Sequence, residues 1–164
     1  MPNNRLTVFI KIKPYLKAFL ISVFGEEPVF IPKNFDGLYI NIFEKLLIKP
    51  TVRDIISIPD NKNDYIEIIL PYYPNTNINV KNFLSANSQR IIEQRIADIF
   101  WETFYHYISD LLKHNISING AIYSFMERYN LPFDSNIEDT LKKSHYRRKN
   151  KFLQVPTRQY VKKS

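Results

Sequence analysis

From Leu6 to Ile12 apolar and polar side chains alternate with the period of two of a strand, in a run rich in Val, Phe and Ile. The period then changes. Lys13-Pro14 opens a helix predicted to reach about Phe24, with Gly25 as its stop and Tyr15, Leu16, Phe19, Leu20 and Val23 as its apolar stripe. Pro28 to Pro32 reads as a short strand bounded by prolines. Leu38 to Leu47 returns to the 3.6-residue period of a helix, which Asn34 or Asp36 would cap and Pro50 would end. Pro59-Asp60-Asn61-Lys62-Asn63-Asp64 is turn chemistry, and Tyr65 to Leu70 reads as a further strand stopped by Pro71 and Pro74.

From about Lys81 or Phe83 the helical period dominates. Leu84, Ile91, Ile92, Ile96, Ile99, Phe100, Phe104, Tyr107, Ile108, Leu111 and Leu112 describe a long amphipathic helix that starts near Ser85. After a break at Lys113 to Ser117, a shorter helix over Asn119 to Tyr129 carries Ala121, Ile122, Phe125, Met126 and Tyr129 at helical spacing. Asn130-Leu131-Pro132 interrupts it. Ser135-Asn136-Ile137-Glu138 then matches the S-x-x-E capping box, which starts a last helix running to about Arg148. Asn150 to Ser164 is basic and weakly patterned, with Pro156 inside, and is expected to be a flexible arm. The pattern implies an α+β fold, with a small mixed sheet and packed helices in residues 1–80, a helical part over 81–149, and a basic tail over 150–164, within one compact domain.

Composition bears this out as a folding chain: at 45% hydrophobic and 15% aromatic residues it lies well above the level at which chains stay disordered. Charge changes the picture more. Of 23 Lys and Arg residues, nine lie between Lys142 and Ser164, where there is no Asp or Glu. The preceding residues hold fourteen basic against sixteen acidic groups, so a body near −2 carries a tail of +9. Clustered cations displace the counterions condensed on a polyanion, which points to nucleic acid as partner. No apolar run approaches the roughly 18 residues of a membrane span, the start lacks a signal-peptide pattern, and there is no cysteine. These features suggest a cytoplasmic location. Abundant Asn, Ile, Lys, Tyr and Phe suggest an A/T-rich gene, as in a phage or mobile element, for which the location would be the host cytosol.

Asn119 to Arg148, two short helices joined by a turn, resembles the helix-turn-helix unit of DNA-binding proteins over under a fifth of the chain. It departs from that pattern in carrying Pro132 where many such units have Gly, which leaves the interhelical angle open. In the second helix Asn136, Thr140, Lys143 and Arg147 form a row at spacings of four, three and four, flanked by Lys142, Tyr146 and Lys149, while only Ile137 and Leu141 are clearly apolar. Such a row suits base edges and phosphates, and the helix N-terminus would add its dipole. The same residues would also serve as a solvated cationic helix end. Arg148, Lys151, Arg158, Lys162 and Lys163 extend the charge as phosphate contacts, with Tyr146, Phe152 and Tyr160 available to stack on bases. An RNA-binding or virion protein would look alike. Leu6 to Lys11 is expected in a sheet, with a dimeric β-ribbon like that of ribbon-helix-helix repressors, and hence a homodimer, as the alternative.

Catalysis finds less support. His106, His114 and His145 do not share a metal-ligand spacing, the first two lying about 12 Å apart along a helix. Pro59-Asp60 with Glu67 resembles the PD-(D/E)-x-K nuclease core, yet Ile68-Ile69 follows where that motif has its lysine. Three glycines leave no phosphate-cradling loop, and no cofactor is implied. The expected function is DNA binding in transcription regulation or an accessory role. The alternatives are a structural or assembly protein whose basic arm contacts nucleic acid or an acidic protein, and a metal-dependent nuclease.

Overall fold

The alternation at the start becomes strand β1 (Thr7–Lys11), in which Val8 and Ile10 point inward and are 2% and 0% exposed. A computed structural model describes residues 6–35, 37–48, 61–70, 77 and 81–161, of which 47, 48, 81 and 151–161 are described in their backbone alone. The architecture is α+β with helices dominating. Two compact units, Met1–Glu102 and Thr103–Ser164, divide the chain inside its longest helix.

In the first unit β1 is followed by α1 (Pro14–Phe24), α2 (Leu38–Lys45), β2 (Leu47–Ile48), a 3-10 turn (Lys62–Asp64), β3 (Tyr65–Ile69), β4 (Lys81–Phe83) and the opening turns of α3 (Ala86–Lys113). β1 pairs antiparallel with β3, Phe9 facing Glu67, which occupies one edge of the strand read as a possible dimeric ribbon. The segment between Pro28 and Pro32 forms one parallel bridge to β3 and no longer ladder: Val29 N–H donates to the Glu67 carbonyl at 2.8 Å, and its own carbonyl accepts from Ile69 at 2.9 Å. Prolines at 28 and 32 lack the N–H groups that would extend the pairing. β2 and β4 make a separate antiparallel pair. β4 covers residues that helical periodicity alone assigns to the approach of α3.

Pro14 at the first turn and Gly25 at the close bound α1, with Gly25 at φ 97° and its N–H donating to the Ile21 carbonyl. Leu16, Phe19 and Leu20 are buried, whereas Val23, expected in the same stripe, is 39% exposed near the helix end, and Ile91 and Leu112, expected in the stripe of α3, are 38% and 37% exposed at the margins of its buried face. Phe100 of α3 receives the edges of Tyr15 and Phe19 at ring-centroid distances of 5.1 and 5.3 Å. Burying each such side chain stabilises the fold by roughly 1.5–3 kcal/mol. Lys17 ties α1 to the turn before β3: its Nζ donates to the Lys62 and Tyr65 carbonyls, both at 2.8 Å, and pairs with Glu27 at 2.9 Å. α2 starts after Gly37, in the left-handed region at φ 73°, without a side-chain cap from Asn34. Asp36, Pro50, Asp60, Pro71 and Pro74 lie outside the described residues. Ser85 caps α3, its Oγ accepting from Ser88 N–H at 3.1 Å, where the sequence places the helix start.

The second unit consists of the last turns of α3, α4 (Ile118–Arg128) and α5 (Ser135–Val161). Phe104, Ile108, Ala121, Ile122, Phe125 and Leu141 form its core, with Phe104 and Phe125 edge to face at 5.0 Å. α3 and α4 end alike. Asn115 (φ 61°) and Asn130 (φ 49°) adopt the left-handed conformation, and the next residue donates back to the helix, Ile116 to the Leu111 carbonyl and Leu131 to the Met126 carbonyl. Asn tolerates this geometry better than other non-glycine residues, so Asn115 and Asn130 close their helices without a glycine. Leu131 is 2% exposed and anchors that turn.

α5 continues beyond Arg148 to Val161, so the segment expected to be a flexible arm is helical in its backbone through that residue. Lys, Arg, Gln and Leu are good helix formers, and cations suit the negative end of the helix dipole. These residues favour helix over most of the segment, and Pro156, lacking an N–H, sits within it at the cost of a backbone hydrogen bond. Lys162 and Lys163 lie outside the described residues.

Candidate nucleic-acid interface

α5 is started by Asp134 and not by the expected Ser135 box: Asp134 Oδ1 accepts the Ile137 N–H at 2.9 Å, one residue upstream of the predicted cap. Glu138 turns instead to Lys142, at 2.5 Å, and the carboxylate raises the Lys142 ammonium pKa above its ordinary value. Asp134, Glu138 and Asp139 place carboxylates around this end of the helix. They favour helix formation there and make it less receptive to phosphate than a bare helix N-terminus. Positive charge accumulates further along.

The inward face is fixed by four residues. Leu141 is 1% exposed. Ser144 Oγ hydrogen-bonds Tyr105 Oη of α3, the Arg148 guanidinium lies 4.0 Å from the Tyr105 ring centroid, and His145 is half-buried between them in sequence. At about 100° per residue the row Asn136, Thr140, Lys143 and Arg147 is centred roughly 120° round the helix from this inward face, and all four are exposed. The row spans about 16 Å along the axis at 1.5 Å per residue. The Thr140 hydroxyl donates to the Asn136 carbonyl at 2.7 Å, leaving its oxygen as an acceptor.

The other expected contacts divide. Tyr146, 51% exposed, flanks the row, while Lys142 is drawn to Glu138, Arg148 to Tyr105, and Lys149, expected beside the row, lies on the other side of the helix with His145 and Arg148. Lys151 and Arg158 lie on the helical backbone of α5, and their side chains, with those of Phe152 and Tyr160, are outside the described residues. Tyr123 of α4 and Phe133 before α5 form an exposed aromatic pair, 59% and 62% accessible with centroids 5.4 Å apart, which periodicity did not single out.

Behind the row, between α3 and α5, a cleft of about 370 Å³ is lined by Tyr105, Ile108 and Leu112 on its apolar side and by His106, His145, Arg148 and Lys149 on its polar side. Partial burial and then the Lys149 charge lower the His145 pKa. His114 is engaged elsewhere, with Nδ1 2.8 Å from the Asp110 carbonyl. Among the described residues no three His, Asp or Glu side chains form a group that would hold a metal ion. Glu67, from the nuclease-like pattern, accepts the Thr7 hydroxyl at 2.7 Å.

These features define an α+β chain with a three-helix C-terminal unit that presents a polar and cationic helix face. No helix of the described residues is long and apolar enough to cross a membrane. No protein-family model matches the chain, and neither curated proteins nor solved structures show a match to it.

Proposed function

We propose that this protein binds duplex DNA through the outer face of α5, as a transcription regulator or an accessory factor in another DNA transaction. The observation that carries the reading is the separation of faces. Leu141, Ser144 and the Tyr105–Arg148 stack hold α5 in place, so Asn136, Thr140, Lys143 and Arg147 are not needed for packing and remain accessible. Asn can pair with adenine, Arg and Lys with guanine, and all of them with phosphate. Pinning the inward face lowers the entropy lost when the outward face meets a ligand.

The chain also has the charge distribution for this role, since every ionisable side chain after Asp139 other than His and Tyr is Lys or Arg. Anisotropy titrations with random duplex DNA, single-stranded DNA and RNA across a salt series test the reading. Duplex DNA should bind with a steep salt dependence, and selection from a random duplex pool should return a preferred sequence. Equal binding of all three polyanions with no selected site would favour an assembly protein. No binding at moderate salt would refute nucleic-acid recognition and leave an acidic protein as partner.

A further inference from the structure

The cleft on the inner flank of α5 combines an apolar and a cationic lining. Its floor is apolar, made by the Tyr105 ring, Ile108 and Leu112, and its rim carries Arg148, Lys149, His106 and His145, with no carboxylate among the lining residues. Its volume of about 370 Å³ falls within the range of small-molecule sites. Arg148 is held by stacking at 4.0 Å on the Tyr105 ring, whose hydroxyl is in turn hydrogen-bonded to Ser144. A cation fixed beside an apolar wall has already lost the freedom that an exposed arginine loses on binding.

We infer that this cleft binds a small organic anion with an apolar body, of the aryl or alkyl phosphate class. The apolar body would lie on Leu112 and Ile108, and the anionic head would meet Arg148 and Lys149. Both imidazoles would be placed to donate an N–H to the head group. His145 is held below its ordinary pKa by burial and by Lys149, and an anion beside it opposes both effects. The site is separate from the outer row of α5 and would take its ligand whether or not that row contacts DNA.

The test is a titration of the full chain with phenyl phosphate, followed through the imidazole proton resonances of His106, His114 and His145. Inorganic phosphate and phenol provide the head group and the body alone. Saturable shifts of His145 and His106 by phenyl phosphate are expected, with His114 unmoved because it lies outside the cleft and bonds the Asp110 carbonyl. Phosphate and phenol should each bind at least about tenfold more weakly than phenyl phosphate. Leu112→Trp, at a position 37% exposed, fills the floor, and Lys149→Gln removes an exposed rim charge. Each should weaken phenyl phosphate binding by about tenfold or more while leaving the circular dichroism spectrum unchanged. Absence of saturable His145 shifts up to about 10 mM, phosphate binding as tightly as phenyl phosphate, or full affinity in Lys149→Gln would overturn the inference.

Discussion

Replacing Lys143 and Arg147 together by Gln removes two charges from the outer face of α5 without touching its packing, since both side chains are exposed and the inward contacts run through Leu141, Ser144 and Arg148. Stability should therefore change little, within about 0.5 kcal/mol for surface positions of this kind. Binding should not escape so lightly. Each phosphate contact contributes about −0.9 to the slope of log affinity against log salt on duplex DNA, so losing two should flatten the slope by about 1.8. Over a fourfold rise in salt each lost contact corresponds to about a 3.5-fold change, and the pair to about twelvefold. The wild type should thus outbind the double variant far more at low salt than at high salt. Anisotropy titrations on one duplex at four or five salt concentrations give both slopes, with thermal unfolding run alongside. An unchanged slope in a folded double variant would refute the assignment of this face to phosphate.

Three further outcomes test the structure around that face. Asp134→Ala should destabilise the second unit by about 1 kcal/mol through loss of the bond to Ile137 N–H, whereas Ser135→Ala should have an effect several times smaller, as measured by denaturant unfolding. Phe104→Ala, at a fully buried position in edge contact with Phe125, should cost about 3–5 kcal/mol and show as early loss of helical circular dichroism. His145 has a folded pKa below its ordinary value of 6.5, so the unfolded chain takes up the proton more readily. Its contribution to stability is complete above that value and declines as pH falls through it toward the folded pKa; unfolding midpoints between pH 7.5 and 5 should fall less in His145→Gln than in the wild type.

What the sequence made legible follows from the range of the forces involved. Helical period located α1, α3 and α4 to within a residue or so because burial of Leu16, Phe19, Ile92, Phe104 and Phe125 enforces that period along the chain. Partnerships between distant residues left no such trace. The Val29 bridge and the β2–β4 pair depend on which strands meet, and β4 is only three residues long. The cap of α5 was misplaced by one residue because Asp134 and Ser135 are both good caps, and only the backbone geometry decides between them. The outer row was readable from spacing alone, since spacing determines which residues share a face. Arg148 reads by charge as one more phosphate contact of the basic arm, yet the Tyr105 ring, far upstream in the chain, draws it to the inward face of α5. The cleft was invisible for the same reason: its two walls lie on different helices.

Both proposed sites use the same helix from opposite sides, and this limits how they can be related. A ligand in the cleft would touch His145, Arg148 and Lys149, while DNA would touch Lys143 and Arg147, a few residues away on the far face. Through-space attraction offers little coupling, because an anion behind α5 would repel a phosphate in front of it, weakly across a screened distance. Any stronger coupling must be mechanical, through the Tyr105–Ser144 bond and the Arg148 stack that set how α5 is held. Linkage then gives a strict requirement: whatever factor phenyl phosphate applies to DNA affinity, DNA must apply to phenyl phosphate affinity. Weakening by the anion would fit simple repulsion, and its dependence on salt would identify it as such. Strengthening requires that the filled cleft hold α5 in a form that DNA also prefers. Tyr105→Phe, which keeps the ring beneath Arg148 and removes the bond to Ser144, should then diminish the coupling more than it diminishes either affinity alone.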